Sequence, residues 1–101
     1  MRRYEIMIIV TDTLEEEAAR AAFDRAKDIL AQQGGTVVDE AWWGRRKLAY
    51  EINKRDFGYY GVIDFEGTSE AVDELERLLK ISDDIVRFKT VRPETRVRTS
   101  A

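Results

Sequence analysis

The chain opens on "RYEIMIIV". Tyr4, Ile6, Ile8 and Val10 fall on one side of an extended strand, and Glu5, Met7 and Ile9 on the other. Both sides are largely apolar, which predicts a strand in the middle of a sheet. The periodicity then lengthens. Ala19, Ala22, Phe23, Ala26 and Leu30 recur at helical spacing and form one apolar stripe, ended by Gly34 and Gly35. Thr13 and Glu16 match a capping box, and Glu15 to Glu17 suit the positive end of a helix dipole. The stretch "TVVDEAWWGRRKLAYEI" reads as a long strand whose central Gly44 marks a bulge. "NKRDFG" is a polar turn, and "YYGVIDFE" is the return strand of a hairpin. Gly67, Thr68 and Ser69 lead into a second helix with Val72, Leu75, Leu78 and Leu79 on its stripe. "IVRFKTVR" alternates as a last strand and stops at Pro93.

The resulting order, β-α-β-β-α-β, has one natural solution at this length. It is an α+β, ferredoxin-like split βαβ fold: a four-stranded antiparallel sheet in the order 4-1-3-2, with both helices on one face. Both crossovers should be right-handed. The first strand then lies in the middle, as its composition requires, and one sheet face carries no helices. Ile8, Phe23, Leu30, Ile63, Leu75 and Phe88 are the expected core. Residues 1–92 form the expected domain, and 93–101 a basic tail.

Charge changes this picture more than size does. The 101 residues carry a net charge of −3, and 37% of them are charged, against about 25% in an ordinary domain. The two helical segments, 14–33 and 68–80, hold nine acids and five bases, so the rest of the chain is net positive by one. From Arg87 to the end there are five bases and one acid. Acid is concentrated on the helices, while strand ends, hairpin and tail are locally basic. Beyond a Debye length of about 8 Å, the acidic side is largely screened from a partner at the basic one. The strand alternation also interleaves Arg3, Glu5, Met7, Ile9, Tyr60, Val62, Arg87, Lys89 and Val91 on the helix-free face. That mixture suits a nucleic-acid or protein surface. It lacks the alternating aromatics of an RNA-recognition motif.

Catalytic and metal chemistry find little to work with. The chain has no Cys and no His, which removes disulfides and the commonest base and metal ligand. The "SDD" at 82–84 and "DE" at 39–40 are too short for a metal cage, and "QGGT" ends a helix instead of cradling a phosphate at the start of one. Neither an enzyme nor a cofactor is expected. No apolar run approaches the roughly 18 residues of a membrane span, and Tyr4 and Glu5 interrupt the only signal-like stretch. The expected location is the cytoplasm.

Residues 42–50, "WWGRRKLAY", bring the only two tryptophans beside the only run of three cations. In a regular strand Trp42 and Trp43 face opposite ways, so one belongs to the core and the other to solvent or a partner. Arg45, Arg46 and Lys47 can guard an edge strand against aggregation or contact phosphates. Residue pattern alone leaves both readings open.

The run "GRRKLAYEIN" resembles the signature of the bacterial ribosomal protein six family of the small subunit. "MRRYEIMIIV", "GYYGVIDFE" and "ISDDIVRFKTVR" resemble the same family's first, third and fourth strands. The resemblance covers residues 1 to about 92, with Lys47 a mild departure where Arg or a polar residue is more usual. It implies a non-catalytic protein that binds small-subunit ribosomal RNA in the central-domain platform, with ribosomal protein eighteen as its heterodimer partner. On that reading the RNA contacts come from Arg2, Arg3, Arg45, Arg46, Lys47, Lys54, Arg87, Lys89, Arg92, Arg96 and Arg98. Trp43, Leu48 and Tyr60 face the protein partner. The rival is a homodimeric regulatory or ligand-binding module that uses the same open sheet.

Overall fold

The structure, a computed structural model, describes residues 2–52 and 55–92, with the side chains of 48–52 and 55–56 left out of the description. Lys54, Leu48 and the tail from Pro93, with Arg96 and Arg98, therefore lie outside the described side chains. The elements run β1 (Arg2–Thr11), α1 (Glu16–Gln32), β2 (Thr36–Ile52), β3 (Arg55–Gly67), α2 (Ser69–Ile81) and β4 (Ile85–Val91). They form one sheet in the order β2-β3-β1-β4, antiparallel at each junction. The expected element order and strand order are both observed.

The core lies between the sheet and the two helices. Ile6, Ile8 and Val10 of β1, Ile63 and Phe65 of β3, Phe23 and Leu30 of α1, and Leu75 of α2 are fully buried there. Strand alternation puts these β residues on one face, and helical spacing puts the α residues opposite them. Phe88 departs from expectation: it packs against this cluster but is only partly buried. It sits on the edge strand β4, opposite Ile8, where no further strand covers its flank. Leu78 is likewise half-buried.

One contact fixes the height of α1 over the sheet. Phe23 rests on Gly61, where a Cβ would lie 2.3 Å from the Phe23 ring. Only bare backbone admits the ring at that distance. Trp42 packs beside it, 5.3 Å from Phe23 and 5.9 Å from Tyr59 between ring centroids.

The helix starts differ from the expected pattern at α1. Its N-cap is Glu15, which makes no side-chain capping bond. Thr13 lies two residues before that cap, and its hydroxyl is 3.1 Å from that of Thr11. Glu16 does not reach back to close a capping box; its carboxylate accepts from Trp42 Nε1 at 3.0 Å. At α2 the cap forms: the Thr68 hydroxyl accepts from the Ala71 amide at 3.1 Å.

The hairpin also extends further than its polar sequence indicated. β3 begins at Arg55, within the segment read as a turn. Lys47 pairs with Phe57 and Ile52 with Arg55, whereas β1 stops at Thr11 opposite Gly58. The hairpin therefore leaves the four-stranded sheet as a two-stranded ribbon.

Two substitutions test this packing. Leu75→Ala is expected to destabilise the chain by about 2–5 kcal/mol through a cavity. Gly61→Ala is expected to destabilise it by about 1–3 kcal/mol through collision with Phe23. Urea titration measures both, and a loss below about 1 kcal/mol at both sites would contradict the packing described.

Candidate binding surface on the open sheet face

The helix-free face is ordered in rows by the strand register. Asp39 of β2, Asp64 of β3, Glu5 of β1 and Val91 of β4 lie side by side. The next row is Ala41, Val62, Met7 and Lys89, and the row after it joins Gly44, Tyr60, Ile9 and Arg87. The face thus has an acidic end, an apolar middle and a basic edge along β4. Ile9 is only 3% exposed although it points away from the helices. Tyr60 and Arg87 flank it in the sheet.

A bulge decides which residues of the "WWGRRK" run reach this face. The β2–β3 register shifts between Trp42 and Gly44, and Gly44 has a φ of +77°, which glycine adopts without the steric penalty of a side chain. Trp42 turns toward the helices. Trp43 turns outward, is 51% exposed, and lies parallel to Tyr60 within 10° at 6.3 Å between centroids. Beyond the bulge the alternation is reset. Arg45 faces the helix side, where its guanidinium lies 4.1 Å from the Phe57 ring centroid and 3.6 Å from Asp12. Arg46 faces the open side, with Nε donating to the Trp43 carbonyl at 3.2 Å. Trp43, Tyr60, Arg46 and Lys47 together line a broad cleft.

The expected site residues therefore divide. Arg46 and Lys47 meet Trp43 and Tyr60 at the β2 edge. Arg87 and Lys89 are exposed on β4, three strand spacings away, or about 14 Å. Arg92 follows at the end of β4. Arg2 and Arg3 are exposed at the start of β1, opposite Gly67 and Glu66. The cations do not form one patch; they occupy the margins of a face whose interior is apolar and partly acidic.

On the helix side, charges are used within the fold. Arg20 bonds Glu40 at 2.9 Å and Asp24 at 3.3 Å, and Lys27 bonds both of those acids. The hydrogen bond that Lys27 donates to Glu40 raises the Lys27 pKa against the opposing effect of burial, and Asp24 adds to it. Burial works against the Asp24 charge, but bonds from Lys27 and Arg20 outweigh it and lower its pKa.

The acidic row went unread in the sequence. Asp64 shares the alternation of Tyr60 and Val62, which was a usable signal. Asp39 was less legible, because a second register shift, between Val37 and Asp39, sets its face. Burial raises the Asp64 pKa. Glu5 and Asp39 raise it further, with Arg3 opposing. Its Oδ1 is buried without a hydrogen-bond partner.

Fold and surface together define an α+β protein with one face of its sheet left open. Among the described residues no cluster of three or more acids could hold a metal ion, and no helix is long and apolar enough to cross a membrane. The family described as Ribosomal protein S6 matches residues 3–92. The chain is 46% identical over 94 residues to the small ribosomal subunit protein bS6 of Clostridium novyi, covering 93% of this chain and 99% of that one. It is 45% identical over 96 residues to bS6 of Salinispora arenicola, covering 95% and 100%. A crystal structure of the 30S ribosomal protein S6 from Thermotoga maritima superposes with a TM-score of 0.87 at 32% identity, over 98% of this chain and 96% of that one. The chain belongs to the ribosomal protein S6 family: it is a structural, non-enzymatic component of the small ribosomal subunit.

The raised Asp64 pKa has a sign that can be tested. A carboxyl whose folded pKa lies above its unfolded value destabilises the fold once it is ionised. Its favourable contribution is complete below the unfolded value and is lost as pH rises through the folded one. Asp64→Asn is therefore expected to raise the melting temperature at pH 7. The gain should vanish at pH 3, where the wild-type carboxyl is protonated. Calorimetric melts at the two pH values check this; a gain of equal size at both would implicate packing instead of charge.

Proposed function

We propose that this protein binds small-subunit ribosomal RNA in the central-domain platform, as a cytoplasmic heterodimer with ribosomal protein eighteen. One observation carries the reading beyond family membership. At the β2 edge, an exposed Trp43–Tyr60 pair adjoins Arg46 and Lys47, so an apolar anchor for a protein and cations for phosphates lie side by side. An edge strand offers unpaired backbone groups to a partner, and a large aromatic beside it is a typical interface anchor. The β4 margin, with Arg87, Lys89 and Arg92, and the start of β1, with Arg2 and Arg3, supply further phosphate contacts on this reading. Arg45, held by Asp12 and Phe57, presents its charge from the opposite side of the ribbon. Lys54, Arg96 and Arg98 are further candidates, and Leu48 a further partner contact. Scattered marginal cations position phosphates and do little to read bases.

For RNA, the heterodimer's affinity should fall with salt, and each phosphate contact removed should reduce the slope of log affinity against log salt by about 1. Replacing Arg46 and Lys47 together with Gln is expected to lower both affinity and slope, as measured by filter binding to a central-domain fragment. An unchanged slope would remove these two residues from the RNA contact.

For the protein partner, Trp43→Ala is expected to weaken binding to ribosomal protein eighteen by about 2 kcal/mol or more. The free fold should lose only about 1 kcal/mol or less, the worth of the Tyr60 stack, because Trp42 is the tryptophan packed on the core. Calorimetric titration and thermal melts separate these effects. Wild-type affinity in the variant would refute the anchor.

A further inference from the structure

Thr11, the last residue of β1, pairs with Gly58, and beyond that point Lys47 and Phe57 continue as a pair with no third strand beside them. A two-stranded ribbon twists more strongly than a sheet and is marginally stable by itself. Arg46 and Lys47 stand where the ribbon leaves the sheet, so its angle to the sheet sets where their charges lie. The segment after β1 holds the root of the ribbon at three points. The Tyr59 hydroxyl donates to the Leu14 carbonyl at 3.1 Å. Asp12 lies 3.6 Å from the Arg45 guanidinium, which itself covers the Phe57 ring. Glu16, the first residue of α1, accepts from Trp42 Nε1 at 3.0 Å. The same carboxylate oxygen would lie 3.4 Å from a Cβ at Gly44. It therefore sits against the bulge that turns Trp43 and Arg46 to the open face. Trp42 in turn packs on Phe23 and Tyr59.

An acid against the root of a cationic ribbon works against phosphate binding, because it weakens the local positive potential. Nor does the dipole of α1 depend on Glu16, since Glu15 and Glu17 flank it at the same helix end. We propose that Glu16 is a positioning residue for the RNA-contacting ribbon: its bond to Trp42 locks the Gly44 bulge to α1 and so fixes the direction in which Arg46 and Lys47 are presented. The Tyr59–Leu14 bond holds the opposite strand of the ribbon to the same segment. The ribbon is in this way ordered before it meets RNA, and binding is spared the entropy of ordering it. The assignment rests on the reading of Arg46 and Lys47 as phosphate contacts.

The test compares the full chain as wild type, Glu16→Ala, Glu16→Gln and Tyr59→Phe, each in its heterodimer with ribosomal protein eighteen. Filter binding to a central-domain fragment is measured at several salt concentrations. Charge alone predicts that both Glu16 variants raise RNA affinity, since each removes a negative charge. Positioning predicts the opposite sign for Glu16→Ala, a fall of about three- to tenfold. Glu16→Gln should retain wild-type affinity or better, because its amide oxygen still accepts from Trp42. Tyr59→Phe changes no charge and should also lower affinity. The slope of log affinity against log salt should stay at the wild-type value in these variants, whereas it falls when Arg46 and Lys47 themselves are replaced. In the free protein, residual dipolar couplings of the Arg46, Lys47 and Phe57 amides should change in Glu16→Ala and return in Glu16→Gln, with those of Ile6 and Ile63 unmoved. Raised or unchanged affinity in Glu16→Ala, or ribbon couplings that do not move, overturns the proposal. So does a change in the couplings of Ile6 and Ile63 alongside the ribbon, which would mark general damage to the fold. If replacing Arg46 and Lys47 leaves RNA binding unaltered, the RNA reading of the ribbon fails. If those two matter and Glu16→Ala does not, only the positioning role fails.

Discussion

Phe23 on Gly61 is the contact on which the layer arrangement depends. A fully buried aromatic ring reaches the sheet only because β3 has no side chain at that point. It draws α1 onto the same side as Ile6, Ile8, Ile63 and Phe65, and with α1 come Trp42 and Tyr59. The two helices and their apolar stripes are then spent on one face. The other face has to be occupied from outside or tolerate solvent, so a binding surface is a consequence of the packing and not an addition to it.

The same geometry sorts the charges. Acids and bases on α1 are close enough to β2 to satisfy each other, as in the Arg20, Asp24, Lys27 and Glu40 network. Ion pairs at partly exposed positions add little stability, but they occupy cations that would otherwise offer a second anionic site. The open face has no helix to supply partners, and its charges sort by row instead: acids at one end, cations at the β2 and β4 margins. A protein that is acidic overall can in this way present basic contacts, because its cations and acids are segregated and charges beyond a Debye length of about 8 Å are largely screened.

Individual residues show where this was legible beforehand. Alternation in "RYEIMIIV" and helical spacing from Ala19 to Leu30 identified the buried face correctly, since burial is what enforces those periods. They could not set the degree of burial at Phe88, because an edge strand lacks a covering neighbour. The capping box at Thr13 failed for a tertiary reason: the Glu16 carboxylate is taken by Trp42, 26 residues away. The acid row escaped notice because its three members come from three strands, and only register makes them adjacent.

By itself the sequence determined the element order, the strand order and the existence of a free face. Each of these follows from local periodicity, chain connectivity and the need to bury apolar surface. It also carried the family resemblance that the comparisons then showed. Only the tertiary structure decided which side chains share the free face. Of the three register shifts in β2, the one between Val37 and Asp39 reverses the facing of the residues after it, and the one at Gly44, a glycine with positive φ, reverses it back. They send Trp42 and Arg45 toward the helix side and Trp43 and Arg46 to the open side. Alternation is a local rule, but a bulge is stabilised by the pairing of two strands, so the facing of the residues beyond it is settled only when those strands meet.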